Sequence, residues 1–275
     1  MLKRFTLRLF VLPLRILVAI KHCRSKLWEL MHWLLFSREY TNFTYELTDL
    51  NIRYLAQFLG VVCGRSPEVM AGFIQEIIDD EQLRTHVGKC ISESKRNYAA
   101  DDIVKYSRRI GWYAIVRATK PRVIIETGVD KGLGACVLTA ALMKNDGEGY
   151  SGTYIGTDIN PKAGYMLMAP YNKYGKILYG DSIESLSALD SEIDLFINDS
   201  DHSMDYEMRE FETVSPRLSS RSIVLGDNSH FSDKLINFAQ QTNRDFLFFQ
   251  EQPQGHWYPG AGIGAAFVRE QGSTD

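Results

Sequence analysis

Residues 124–134 read Ile124-Ile125-Glu126-Thr127-Gly128-Val129-Asp130-Lys131-Gly132-Leu133-Gly134. An apolar run leads into three closely spaced glycines, and an apolar-periodic segment, Ala135 to Met143, follows them. The spacing predicts a strand, a tight turn and a helix. Glycine takes positive φ and leaves room for a ligand where a Cβ would stand. The turn ends at a helix N-terminus, whose free N–H groups and dipole favour negative charge. A nucleotide-like ligand is the expected occupant.

From Pro121 onward short β-rich runs alternate with helical stretches. Strands are expected at Val123–Thr127, Tyr154–Asp158, Ile177–Tyr179, Leu195–Asn198, Ile223–Gly226, Phe246–Gln250 and Ile263–Arg269. Helices fit after Lys131, near Ser182–Leu189, at Met204–Leu218 and at Phe231–Thr242. Such alternation predicts an α/β fold, a Rossmann-like, mostly parallel sheet with helices on both faces. Ligands of such sheets bind beyond the carboxyl ends of the strands. Residues 41–120 read as a helical cap: Thr48 or Asp49 starts one helix, Ser66-Pro67-Glu68 another, and Ala99–Ala118 forms a third.

Residues 1–40 form a basic amphipathic leader. Seven basic residues and no acid precede Glu29, so the net charge of −3 leaves −10 on the rest of the chain. An acidic body argues against a nucleic-acid partner. Within residues 1–36 no apolar run reaches the roughly 20 residues that span a bilayer, and Pro13 kinks or restarts a helix. Two readings stand: a helix lying on an anionic membrane surface, or one packing on the body or on a second copy in a homo-oligomer. Cys23, Cys63, Cys90 and Cys136 are far apart and form no CxxC pair, which fits a reducing compartment. The expected location is cytoplasmic, peripheral at the inner membrane face on the first reading.

The glycine turn also fits a nicotinamide-binding oxidoreductase. The short-chain class of those enzymes needs Tyr-x-x-x-Lys, and none of the fourteen tyrosines has lysine four residues later. Asp158 ends the second strand, where a carboxylate accepts hydrogen bonds from both ribose hydroxyls. Asp181, in Gly180-Asp181-Ser182, either meets an adenine amino group or caps the next helix. Glu126 suits a cationic amino group or is a satisfied structural acid. Asn198-Asp199-Ser200-Asp201-His202-Ser203 and Gly226-Asp227-Asn228 follow strands expected to be neighbours, so Asp199, Asp227 and Asn228 converge. Three oxygen donors suit Mg²⁺ or a similar divalent cation, or they are loop caps without metal.

These motifs resemble the class I S-adenosylmethionine-dependent methyltransferases over about Val123–Arg269. Glu126-x-Gly128-x-x-x-Gly132-x-Gly134 looks like their first motif, Asp158 like their ribose acid and Gly180-Asp181 like their adenine-side motif. The resemblance implies a seven-stranded sheet with the last strand antiparallel, and makes residues 121–275 the cofactor-binding domain. The acidic pair of loops is similar to those of the metal-dependent O-methyltransferases of the catechol and caffeoyl-CoA type. It is closer to the macrolide-sugar O-methyltransferases through its Asp-x-Asp-His-Ser form. By position Asp199, Asp227 and Asn228 are then metal ligands, and a divalent cation assists O-methylation of a small-molecule hydroxyl. His202 stands where catechol-type enzymes carry lysine, and reads as general base, metal ligand or loop support. A different class also stands: a methyltransferase-fold scaffold at a membrane surface, without catalysis. His256-Trp257-Tyr258-Pro259-Gly260 reads as a pocket wall or as packing. Tyr106, Arg108 and Arg109 read as reaching the site from the cap, or, for the arginines, as surface helix charge.

Overall fold

The computed structural model describes residues 10–39, 43–95, 101, 103–201 and 203–269. Seven strands form one sheet: β1 (Val123–Thr127), β2 (Thr153–Asp158), β3 (Gly175–Tyr179), β4 (Ile193–Asn198), β5 (Leu218–Gly226), β6 (Asp245–Gln250) and β7 (Gly262–Phe267). Their order is β3-β2-β1-β4-β5-β7-β6. The pairs from β3 through β5 are parallel, and β7 is antiparallel to both neighbours. The expected Rossmann-like architecture is therefore present.

Adjacent residues of the central strands enter opposite cores. Ile124, Leu195, Ile197 and Leu225 pack on one side, while Ile125, Phe196 and Val224 pack on the other. Burial on both faces explains why these strands read as continuous apolar runs rather than alternating ones. α6 (Leu133–Gly147) lies with the cap helices α2 (Asp49–Cys63), α3 (Pro67–Ile78), α4 (Glu81–Glu93) and α5 (Arg109–Thr119) on the first side. α7 (Ser182–Ser187), α8 (Met204–Val214) and α9 (Lys234–Gln241) lie on the second. Thr48 and Ser66 cap α2 and α3 by accepting from Asn51 N and Val69 N, with Pro67 in the first turn of α3. A short antiparallel pairing of Glu46–Leu47 with Pro253–Gln254 ties the cap to the end of the sheet.

Several expected boundaries differ, among them the start of β5, at Leu218 and not Ile223, and that of α9, at Lys234 and not Phe231; two differences have a clear cause. The helix expected over Ala99–Ala118 begins only at Arg109. Ser107 sits at φ 52°, outside the helical region, and exchanges bonds with Tyr45: Ser107 N donates to Tyr45 O, and Tyr45 N donates to Ser107 Oγ, both at 3.1 Å. That long-range pairing stops the helix and leaves Arg108 at its N-terminal edge. The helix expected over Met204–Leu218 ends at Val214, because Ser215-Pro216-Arg217 forms a 3₁₀ turn into β5.

The leader forms α1 (Leu12–Phe36), with Pro13 in its first turn as a restarting residue. Arg4 and Arg8 lie outside the described residues. The side of α1 bearing Lys26 and Trp33 meets the body: Lys26 Nζ donates to His256 O at 2.7 Å, and the Trp33 and Trp257 rings lie 5.3 Å apart. Among the described residues no helix is long and apolar enough to cross a membrane.

Candidate active site

One register row crosses the middle of the sheet: Thr157 pairs with Thr127, Thr127 with Asn198, and Asn198 with Gly226. The next residue on each strand, Asp158, Gly128, Asp199 and Asp227, therefore stands at the same level at the carboxyl edge of the sheet. Parallel strands thus bring together at one edge residues that are far apart in the chain. There they line a cleft of about 900 Å³ together with Glu126, Gly134, Asp181 and Asn228. That volume is near the upper end of the roughly 300–1,000 Å³ of small-molecule sites.

The glycines serve the protein's own packing first. Gly128 has φ 81°, and a Cβ there would overlap the carbonyl oxygen of Asp199. Gly132, at φ 97°, abuts the backbone of Gly164, and a Cβ on Gly134 would meet the Glu126 carboxylate and the Trp112 ring. The expectation that the missing Cβ atoms make room for a ligand is corrected accordingly. Their room is filled by the chain, which folds the turn tightly enough to place Gly128 and Gly134 in the cleft wall, while Gly132 lies off it.

Asp158 faces the same cleft and holds the turn. Its Oδ2 accepts from Val129 N (3.1 Å) and Asp130 N (2.9 Å), and Oδ1 accepts from Asn160 N (2.8 Å). A carboxylate has about four acceptor positions, so capacity remains for a ligand hydroxyl. Asp181 caps α7 through Glu184 N (3.1 Å) and accepts from the Tyr206 hydroxyl (2.9 Å). These bonds, the Glu184 N–H first, hold its carboxyl below the usual range. The capping alternative thus holds, on a side chain that also lines the cleft.

Glu126 is buried beneath Gly134 and accepts from the Tyr154 hydroxyl at 2.5 Å. Burial pushes its carboxyl up to about 7, against the lowering effects of that hydroxyl and of Arg109 and Arg108. Its folded-state value lies above the ordinary 4.5, so the folded chain binds more protons between those limits. Stability then falls as pH rises through this window. Glu126→Gln is expected to remove on the order of 2–3 kcal/mol of that fall between about pH 4.5 and 8. Urea unfolding at several pH values checks this; wild-type and variant curves that stay parallel would contradict it.

Asp199 and Asp227 converge as expected, but around an arginine. Arg108 contacts the Asp227 carboxylate directly, with its guanidinium 3.7 Å from Asp199 and 3.8 Å from Glu251. Arg109 lies 3.9 Å from Asp199, and both guanidinium groups sit over Trp112, at 5.6 and 5.3 Å. A cation at the N-terminus of α5 opposes the helix dipole; the three acids offset that cost. Burial and the Asp227 carboxylate push the Asp199 carboxyl well up. The acids form a closely packed pair neutralised from within. This arrangement does not fit a divalent ion. Its charge is met by a buried guanidinium, and Asn228 adds only a neutral donor. Asp199, Asp227 and Asn228, the residues expected to hold a metal, all line the cleft, and the two acids there form a pair about Arg108. His202 lies outside the described residues.

Further residues complete the site, all but Trp257 and Tyr258 not singled out from the sequence. Glu210 of α8 is fully buried and accepts from Thr127, Ser182, Asn198 and Ser200, tying the ends of β1 and β4 to α7. Glu251 accepts from the Tyr45 hydroxyl at 2.9 Å. Phe43, Tyr45 and Tyr258 wall the cleft beside Arg108. In the loop after β6, Trp257 packs on Trp33 and Phe43 while Tyr258 reaches the cleft, so both expected roles occur there.

The fold and this edge-of-sheet cleft define the class I methyltransferase architecture. Residues 125–229 match a family model described as a methyltransferase domain. A presumed caffeoyl-CoA O-methyltransferase from Staphylococcus aureus superposes with TM-score 0.51 at 13% identity, over 71% of this chain and 98% of that one. A presumed O-methyltransferase from Klebsiella pneumoniae gives TM-score 0.50 at 14% identity, over 72% and 94%. At such identities the likeness is one of fold. No curated protein matches the chain in sequence. The resemblance drawn from the glycine turn and its acids is thus matched at two levels: residues 125–229 fit the model of a methyltransferase domain, and the fold is shared with O-methyltransferase structures.

Proposed function

We propose that this protein transfers the methyl group of S-adenosylmethionine to a hydroxyl oxygen of a small molecule. The observation that carries the reading is the single cleft in which the glycine turn and Asp158 stand at one end and the Asp199–Asp227–Arg108 cluster at the other. The donor's adenosine lies along Gly128–Gly134 with its ribose on Asp158 and its base toward Asp181. The acceptor lies between the acid cluster and the wall of Phe43, Tyr45 and Tyr258. An O–CH₃ bond forms as the S–CH₃ bond breaks; the sulfonium becomes a thioether, and the hydroxyl proton leaves to the acid pair. Holding oxygen, carbon and sulfur in line supplies much of the rate. His202 is the alternative proton acceptor. The expected result is formation of S-adenosylhomocysteine above blank with labelled donor and a panel of phenols and hydroxylated sugars. Labelled product on amines alone would move the reaction to nitrogen, and no turnover with any acceptor, despite donor binding, would favour the non-catalytic scaffold.

A second proposal concerns the leader. Leu12, Ile16, Ile20, Leu27, Met31 and Leu34 are all exposed and fall within about 100° of one another on α1. Lys26 and Trp33, which meet the body, lie along one border of the stripe, roughly 40–60° from Leu12. With Arg15, Lys21, Arg24 and Lys26 on the same helix and its only acid at Glu29, it suits an anionic lipid surface. We expect the full chain to sediment with vesicles containing phosphatidylglycerol and a triple Ile16→Glu/Ile20→Glu/Leu27→Glu chain to stay in solution. Equal recovery of both chains would refute this. Loss of a dimer in the variant, without vesicle binding by either, would assign the stripe to a second copy.

A further inference from the structure

Arg108 occupies the position between Asp199 and Asp227 where a metal ion would need to sit, and its surroundings hold it there. Only 9% of its side chain is exposed. It touches Asp227, lies within 4 Å of Asp199 and Glu251, and is backed by the Trp112 ring. The N-terminal edge of α5 positions it, and that edge is set by the Ser107 N to Tyr45 O and Tyr45 N to Ser107 Oγ bonds. Leaving would strand three acids, Asp227 and Glu251 buried and Asp199 nearly so, which is costly for charges removed from water. A divalent ion would have to enter beside Arg108 and Arg109, and the three cations together would bring more positive charge than the three acids can balance.

We propose that Arg108 is a built-in cation that replaces the divalent metal at this site, so that the Asp199–Asp227 pair is held and oriented by a guanidinium and binds no metal ion in the native chain. The inference rests on the methyltransferase reading for its purpose, the presentation of the acid pair to an acceptor hydroxyl. It does not rest on that reading for its test. Guanidinium suits the task because its planar fork meets carboxylates at several donors and stays charged at any working pH. Arg108 is thus a positioning residue: it sets where the acids point, and they meet the acceptor.

The test is Mn²⁺ binding to the full chain, read by electron paramagnetic resonance and by melting temperature. Wild-type protein is expected to leave the free Mn²⁺ signal unchanged at stoichiometric ratio and to show no Mn²⁺-dependent melting shift. Arg108→Ala vacates the position while keeping both acids. It is expected to bind Mn²⁺ at least tenfold more tightly than wild type and to melt several degrees higher with Mn²⁺ than without, since an ion that binds only the folded chain stabilises it. Adding Asp227→Asn to that variant should abolish the gain. Stoichiometric Mn²⁺ binding by wild type, lost in Asp227→Asn, would overturn the proposal, as would a folded Arg108→Ala chain with no gain. If Arg108→Ala melts too low to bind at room temperature, the same comparison is made in the cold with Arg108→Met as the second variant: a gain in Mn²⁺ binding supports the proposal, and a folded variant without one overturns it. S-adenosylhomocysteine titrated into the same wild-type samples separates the readings. Its failure to bind removes the methyltransferase reading and leaves the Mn²⁺ result standing.

Discussion

Gly128→Ala is expected to destabilise the protein by about 4 kcal/mol or more, the range reserved for overpacked or strained positions. Two costs coincide. The residue is held at φ 81°, where an alanine loses roughly 1 kcal/mol relative to glycine. Its Cβ would also overlap the Asp199 carbonyl, a backbone atom fixed by the Asp199 N to Thr127 O bond at 2.9 Å. No side-chain rotation relieves that overlap, so the turn or the β4 loop must shift, and both line the cleft. Gly149 supplies the control. It has φ 89° with nothing within 4 Å of a built Cβ, so Gly149→Ala should show the conformational cost alone, about 1 kcal/mol. Urea unfolding of the two variants measures the difference. Equal losses would mean that the close approach of Gly128 to Asp199 contributes nothing.

Asp158→Ala is expected to weaken S-adenosylhomocysteine binding by roughly a hundredfold. A hydrogen bond to a charged group is worth about 1.5–3 kcal/mol, and the ribose loses its carboxylate partner. The turn loses its brace as well, since Val129 N and Asp130 N both donate to Asp158. Asp158→Asn keeps an oxygen for these donors and removes the charge, so a loss of roughly tenfold is expected, with a smaller fall in melting temperature. Calorimetric titration distinguishes the two. A folded Asp158→Ala chain binding with wild-type affinity would remove the ribose role.

Much of this was legible in the sequence because the sheet is buried on both faces. Apolar runs such as Val123–Ile125 and Leu195–Ile197, each ending in polar residues, mark strands that feed a common edge. The glycine spacing and Asp158 were readable as local pattern. What escaped depends on distance along the chain. The late start of α5 rests on Ser107 bonding Tyr45, a contact of 62 residues that leaves no periodicity signal. Arg108 read either as reaching the site from the cap or as surface helix charge, and no local pattern chose between them, because the acids that bury it come from positions 199, 227 and 251. The spacing of Asp199 and Asp227 likewise says nothing of a cation arriving from the cap. Glu210 did carry a signal: with Glu207 it shares the face of α8 that bears Phe211 and Val214, and acids on an apolar face are buried for a reason.

The central claim is that an adenosine-bearing sulfonium donor seats against Gly128–Gly134 with its sugar at Asp158. Calorimetric titration of the full chain with S-adenosylhomocysteine tests it most directly. The account predicts saturable binding of one ligand per chain and a melting temperature that climbs with ligand, corresponding to about 2.7 kcal/mol at a hundredfold excess over the dissociation constant. A folded chain that shows neither heat nor melting shift at millimolar ligand would contradict it.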